Sequence, residues 1–415
     1  MFEYFKIGTG LLFCLFFLGK SKGQVPEMYV EHAFQNHPSI RANEASYQAE
    51  LKKAEQAAYL PDPQVDVSVF IRPMMLPMGN QIGSFTARQM FPWFGNLEAR
   101  KKEALAKASI VSAEQAVLKN NIRYELEKAW YPMIATNEQL QVEKENLQLL
   151  QSLKDLVTAK IQYGKSKMKD VLRIEIQMDG SQSKIQILEL KLSNLKEAFN
   201  LAALREKNSE LILKESLPEY EKLPLVNLED WVIQNPQLYV FDDKETALEA
   251  GKELSAFMRK PGFGVGLQYM PTVKRDASSP EILPNTGKDM VMPMVSFSVP
   301  IWKKKYDAAE SFYEISKQAN QAMKEQKVLE LQKQVLKFQF ELESQQETIE
   351  LLTNQAKKTQ QLLDLLIKTY SQESSDFEEI LKEEKNLLQY KKDLISSKEK
   401  QLILNAELRF LKGTF

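Results

Sequence analysis

Among 415 residues the chain holds one cysteine, Cys14, and two histidines, His32 and His37. A serine–histidine–aspartate triad, a zinc-binding helix or a histidine general base would have to use one of these two imidazoles. Neither lies in a motif that such chemistry uses. His37 precedes Pro38, which reads as a surface residue at a helix boundary. Disulfides and thiolate metal sites need cysteines beyond residue 23, and the sequence has none. Phosphate-cradling glycine patterns are missing too, so catalysis is a poor reading, and no catalytic, cofactor-binding or metal-binding residue is assigned. Met74, Met75 and Met78 form one methionine group, and Met290, Met292 and Met294 another. Thioethers suit soft ions such as Cu(I). The first group reads as loop and the second as part of a strand or beside one, and unbranched apolar filler accounts better for both.

Composition narrows the class. The net charge is −1, which leaves no footprint of a nucleic-acid partner. Hydrophobic residues make up 43% of the chain and the mean hydropathy is −0.38, values that exclude a bundle of membrane helices. No apolar run beyond the N-terminus approaches the roughly 20 residues a spanning helix needs. The N-terminus departs from this pattern. Lys6 precedes the apolar stretch Leu11 to Leu18, and Ser21-Lys22-Gly23 offers small residues before Gln24. Residues 1–23 therefore read as a secretory signal peptide. Phe13 precedes Cys14 where a lipidation site would want glycine or alanine.

The elements around these residues occur twice. Ala58-Tyr59-Leu60-Pro61-Asp62-Pro63 leads into an alternating stretch, and Ala256-Phe257-Met258-Arg259-Lys260-Pro261 does the same about 198 residues on. His37-Pro38 falls on Asn235-Pro236 at that offset. Phe91-Pro92-Trp93 meets Val299-Pro300-Ile301-Trp302 at an offset of about 208, Tyr163 meets Tyr370, and Asn200 meets Asn405. A period this long is no solenoid repeat but a duplicated half-protein. The halves are 24–205 and 235–415, joined by a connector over 206–234. Each reads as helix, two short strands, long helix, turn, long helix. Strands are placed at about 64–71 and 83–91, then at about 262–270 and 290–299. Helical hairpins follow at about 96–204 and 303–411.

Apolar residues recur at three- and four-residue spacing through both hairpins, as at Leu140, Leu147, Leu150, Leu153 and Val157. This is the seam of an antiparallel coiled coil with charged outer faces. A helix of about 65 residues would run about 100 Å, and Pro132 predicts a kink within the first one. In the strands, Val65, Val67, Val69 and Ile71 alternate with polar residues, as do Val295, Phe297 and Val299. One apolar and one small or polar face is the mark of a half-buried strand. Tyr59, Phe91, Trp93, Phe94 and Trp302 gather at one end of these strands. They fit an aromatic belt at a membrane–water interface or, alternatively, the core beneath a soluble sheet. Signal peptide and strands together favour an outer membrane. Lipid forces every strand edge to be paired, and four strands cannot close a barrel. Eight would fill their own interior with side chains. Because Gly262, Gly264, Gly266, Ser296 and Ser298 read as a lumen kept open, three copies are preferred.

Three pieces then carry a resemblance: Leu60-Pro61-Asp62-Pro63 before the first strand, Gln89-Met90-Phe91-Pro92-Trp93-Phe94-Gly95-Asn96-Leu97 after the second, and Tyr163-Gly164-Lys165-Ser166 with Asp170-Val171-Leu172-Arg173. Over nearly the whole chain after residue 23, the sequence resembles the TolC-like outer-membrane efflux proteins, particularly the branch with heavy-metal exporters. The resemblance implies a mainly α fold with a small membrane β-barrel. Duplicated hairpins would form a periplasmic tunnel, and four strands per subunit would build a trimeric twelve-stranded barrel. It also implies a homotrimer in outer-membrane lipid, coupled through a periplasmic adaptor to an inner-membrane pump, with no chemistry of its own. Tyr163, Gly164, Lys165, Ser166, Asp170, Tyr370 and Ser371 would lie at the tip that meets the adaptor. Asp376, Glu378 and Glu379 are candidates for a charged constriction that favours cations. A capped helix N-terminus with acids in its first turn accounts for them better. Arg173 is a candidate for an ion pair that holds the tip closed. The rival readings are a periplasmic coiled-coil adaptor and a structural protein of the cell envelope.

Overall fold

The computed structural model describes residues 25–164, 166–220, 228–275, 287–372 and 376–413. The expected signal peptide with Cys14, and Lys165 at the first tip, lie outside the described residues. The chain opens with helices α1 (Glu27–Asn36) and α2 (Pro38–Ala57), strands β1 (Gln64–Leu76) and β2 (Gly79–Phe91), and helices α3 (Asn96–Gln162) and α4 (Met168–Ala202). It continues with α5 (Leu228–Val232), α6 (Pro236–Met258), β3 (Gly262–Met270), β4 (Thr272–Val273), β5 (Met290–Ser298), α7 (Lys303–Gln372) and α8 (Phe377–Lys412).

The duplication reaches down to cap geometry. His37 caps α2 with φ −65° and ψ 125°, and its ring nitrogen accepts from the Ser39 N–H at 3.2 Å. Asn235 caps α6 with φ −64° and ψ 125°, and its Oδ1 accepts from the Gln237 N–H at 2.9 Å. A proline follows each cap, where its missing N–H costs nothing. His37 is thus a helix cap.

Two compact units divide the chain, and each takes segments from both halves of the duplication. One holds residues up to Val30 with Leu126–Leu223 and Gln345–Ile403; the other holds Glu31–Glu125, Pro224–Ser344 and the residues from Leu404 on. The first, a hairpin unit, packs both helical hairpins around one core. Leu150, Leu153 and Val157 of α3 meet Val171 and Ile174 of α4, Leu363 and Tyr370 of α7, and Phe377, Ile380, Leu381 and Leu387 of α8. Elsewhere in this unit Tyr29, Trp130 and Phe199 pack ring on ring at 5.0–5.8 Å. Arg205 lies over the Tyr29 ring at 4.7 Å. The start of the connector is bound there, because Asn200 Nδ2 donates to the Lys207 and Ser209 carbonyls at 3.1 and 2.8 Å.

The second, a sheet unit, contains the five strands of the described residues. Their order is β1-β2-β3-β5, with β4 paired to β2, and every pairing is antiparallel. The first strand pair is longer than the spacing predicts, reaching Leu76 and restarting at Gly79. Pairing slips between Val69 and Met74, the stretch that contains Pro73, and resumes at Met74↔Gln81. Met74 and Met75 therefore belong to β1 rather than to a loop. At the other end of β2, Gly95 turns the chain into α3 at φ +84°. A β-carbon there would lie 2.7 Å from the Phe257 ring, so both backbone and space require glycine.

Candidate functional site

Strand register sorts the side chains of the sheet into two sets. Val67, Phe85, Tyr269 and Val291 form one cross-strand row, and Val65, Ala87, Leu267 and Pro293 the next. Phe91, Phe263 and Phe297 form a third, with Phe91 stacked on Phe263 at 5.3 Å. These rows share one face, since side chains two apart along a strand point the same way. The face is bare: Val69 is 80% exposed and Phe297 71%. The opposite face carries Asp66 and Thr86, Ser68 and Ser84, Arg88 and Gly266, and Gly264 and Ser296. Arg88 pairs with Asp66 there at 3.6 Å. An exposed apolar face of this extent marks a surface that meets something other than water.

Of the aromatic set, Tyr59, Phe94 and Trp302 are strongly exposed and Trp93 less so. Trp93 lies edge-on to Phe94 at 6.1 Å, and Phe94 tilts against Phe263 at 6.0 Å. These rings continue the bare face beyond the ends of β2 and β3. Among the described residues no helix is long and apolar enough to cross a membrane.

In the hairpin unit the two tips lie against each other. Gly164 ends α3 at φ +69°, with its N–H on the Ile161 carbonyl at 2.9 Å. Tyr163 beside it is exposed. Tyr370 is 2% exposed and packs against Phe377 at 5.2 Å. Its hydroxyl donates to Ser166 Oγ at 3.0 Å, and burial pushes its phenol up from the usual range. Asp170 is buried, and its Oδ2 lies 3.4 Å from both the Ser166 hydroxyl and the Lys167 N–H. Ser371 is exposed, and its hydroxyl turns back to the Lys368 carbonyl at 2.6 Å. Asp376 Oδ1 accepts from the Glu378 N–H at 3.0 Å, as a helix cap does. Glu378 in turn meets Arg173 of α4 at 2.8 Å. Glu379 is exposed.

Sequence reasoning missed three charged residues inside this unit. Lys160 of α3 is buried, donates to the Tyr370 carbonyl, and lies 4.3 Å from the centre of the Tyr370 ring. Glu143 of α3 is buried, accepts from Ser181 Oγ at 2.8 Å, and meets Lys392 of α8 at 2.5 Å. Glu384 of α8 lines the same cavity of about 330 Å³ between α3, α4 and α8. Burial pushes its carboxyl up to about 7, with Glu143 adding repulsion and Asn146 opposing the shift. All three occupy seam positions of the coil, a detectable signal that a list of apolar seam residues passes over.

No family model matches the sequence, and a search of curated proteins returns no match. Solved structures do match. CusC, solved in a study of transmembrane channel formation, aligns with TM-score 0.72 at 15% identity over 93% of this chain and 91% of its own. The outer membrane protein VceC of Vibrio cholerae aligns with TM-score 0.70 at 13% identity over 93% and 95%. The open MtrE outer membrane channel of Neisseria gonorrhoeae aligns with TM-score 0.71 at 15% identity over 93% and 88%. With long paired helices, a four-strand path and one bare apolar sheet face, the chain has the fold of the TolC-like outer-membrane efflux channels.

Proposed function

We propose that the chain is the outer-membrane channel of a tripartite efflux system, passively conducting what an inner-membrane pump delivers through a periplasmic adaptor. The observation that carries this reading is the strand register, which lines up apolar rows across the sheet and leaves them exposed. Lipid is the solvent that such a face suits. The strand path begins at β1 and ends at β5, and unpaired edges are not tolerated in hydrocarbon. Three copies supply twelve strands, with the glycine and serine face turned to the lumen.

At the tip, Lys160–Tyr370, Tyr370–Ser166 and Arg173–Glu378 hold the two hairpins of one subunit together. Adaptor contact at Tyr163, Gly164, Lys165, Ser166 and Ser371 would break these links and open the way, with Asp170 and Tyr370 as the inner supports that shift. Asp376, Glu378 and Glu379 would then present negative charge to passing cations. The channel performs no chemistry of its own.

Membrane fractionation, native mass measurement in detergent and planar-bilayer recording test the reading together. A detergent-dependent trimer that conducts supports it. A monomer soluble without detergent overturns it. Replacing Asp376, Glu378 and Glu379 by alanine tests the constriction separately, since unchanged ion selectivity would remove those acids from it.

A further inference from the structure

Where the strands of the sheet unit give way to helices, a cavity of about 250 Å³ opens. That is far more than the roughly 10–15 Å³ that one water needs. Trp93, Asn96 and Arg100 line it from the end of β2 and the start of α3, Lys260 from the α6–β3 link, and Lys305 and Tyr306 from the start of α7. Arg100, Lys260 and Lys305 have no acidic partner among the described residues. Lys260 lies over the Phe257 ring at 4.6 Å and Lys305 over Tyr306 at 5.7 Å. Two cations close by in the sequence are paired instead, Lys102 with Glu253 at 2.6 Å and Arg259 with Asp307 and Glu310 at 2.7 and 3.0 Å. The cavity therefore gathers three cations that lack an acidic partner among the described residues. The first turns of α3 and α7 add the positive ends of two long helices.

A second observation points the same way. Asn96 is 4% exposed, and its Oδ1 is buried with no hydrogen-bond partner. An unmet buried acceptor is costly, and this one sits on a residue that lines the cavity. A ligand that both accepts from cations and offers a hydroxyl hydrogen suits the three cations and Asn96 together.

We propose that this cavity binds the headgroup of an anionic phospholipid, its phosphodiester held by Arg100, Lys260 and Lys305 and a headgroup hydroxyl donating to Asn96 Oδ1. The proposal rests on the membrane reading of the sheet, because it places the phosphate where the bare apolar face ends and the charged helices begin. Acyl chains would continue along the exposed rows past Trp93, an interfacial side chain by chemistry.

The test uses the purified oligomer, stripped of lipid in detergent and titrated in native mass spectrometry with phosphatidylglycerol, phosphatidylcholine or glycerol 3-phosphate. Phosphatidylglycerol is expected to bind at least about tenfold more tightly than either of the others. The variant Arg100→Gln/Lys260→Gln/Lys305→Gln is expected to lose roughly 100-fold in that affinity, about fivefold per cation. A control, Lys52→Gln/Lys53→Gln/Lys107→Gln, removes three exposed cations elsewhere and is expected to change nothing. Undiminished binding in the first variant, or an equal loss in the control, overturns the site. Equal binding of phosphatidylcholine overturns the charge argument, and equal binding of glycerol 3-phosphate assigns the cavity to a soluble anion. A conducting oligomer with no lipid preference would sink this site alone, whereas a detergent-free soluble monomer would sink the channel reading.

Discussion

Replacing Glu384 by glutamine should stabilise the hairpin unit in alkaline conditions and leave it unchanged in acid. Glu384 is 3% exposed, and its carboxyl is pushed up to about 7 from 4.5, first by burial and then by Glu143. Between those two pH values the folded chain keeps a proton that the unfolded chain has released. Unfolding free energy therefore falls as pH rises from 4.5 to 7 and levels off above. A shift of two to three units corresponds to about 3 kcal/mol. Glutamine keeps the shape and the bond to Asn146 without a charge to bury, so the variant should lose this slope and exceed the native chain by about 3 kcal/mol at pH 8. Hydrogen exchange of peptides covering α8, corrected for intrinsic rate at each pH, reads the difference locally. Parallel pH profiles for the two proteins, or a variant that opens more readily at pH 8, would refute the reasoning.

The neighbouring ion pair gives a complementary expectation. Lys392→Met strands Glu143, whose side chain is 3% exposed, and should cost about 3–5 kcal/mol, while the double variant with Glu143→Gln recovers most of it in a denaturant titration. At the tip, Gly164→Ala meets no atom within 4 Å, so its cost should be that of the left-handed backbone alone, about 1–2 kcal/mol, read as faster exchange at the end of α3. On the sheet, if the apolar rows meet lipid as proposed, Leu267→Lys should cost roughly 2–4 kcal/mol, while Gln268→Lys on the other face is tolerated. Yield of the assembled oligomer in membranes separates the two, and equal yields would contradict the assignment of faces.

The strands were legible because alternation is a property of a single strand. Val65, Val67 and Val69 reveal their face before any partner is known. The missed part of the first hairpin begins where that alternation fails, at Arg72-Pro73-Met74-Met75. Proline cannot donate to a ladder, so a reading from one strand stops there. The structure lets pairing slip across this stretch and resume beyond it, helped by a partner that sequence periodicity does not display. The helical hairpins were legible for the same reason as the strands, since heptad spacing is local.

The charges within the coil lie beyond local pattern. Leu140, Glu143, Asn146, Leu150, Leu153, Val157 and Lys160 are all buried and follow one seam. A sequence reader keeps the apolar members and assigns the rest to solvent, because a buried charge without a partner is untenable. The partners exist, but in helices from the other half of the chain. Lys392 answers Glu143, and the Tyr370 carbonyl answers Lys160. Duplication placed those helices against the first hairpin, so these polar seam slots became affordable only once both halves had packed. It follows that the polar contacts should report on hairpin docking more sensitively than the apolar ones do. Separating the hairpins would return leucine to water at a cost spread over the whole seam. It would also return Lys160 and Glu143 to a solvent that welcomes them. Polar seam residues therefore weaken the closed packing relative to an all-leucine seam, which is what the proposed opening at the tip calls for. If Lys160→Leu left the opening of α7 peptides unchanged in hydrogen exchange, this account of the seam would fail.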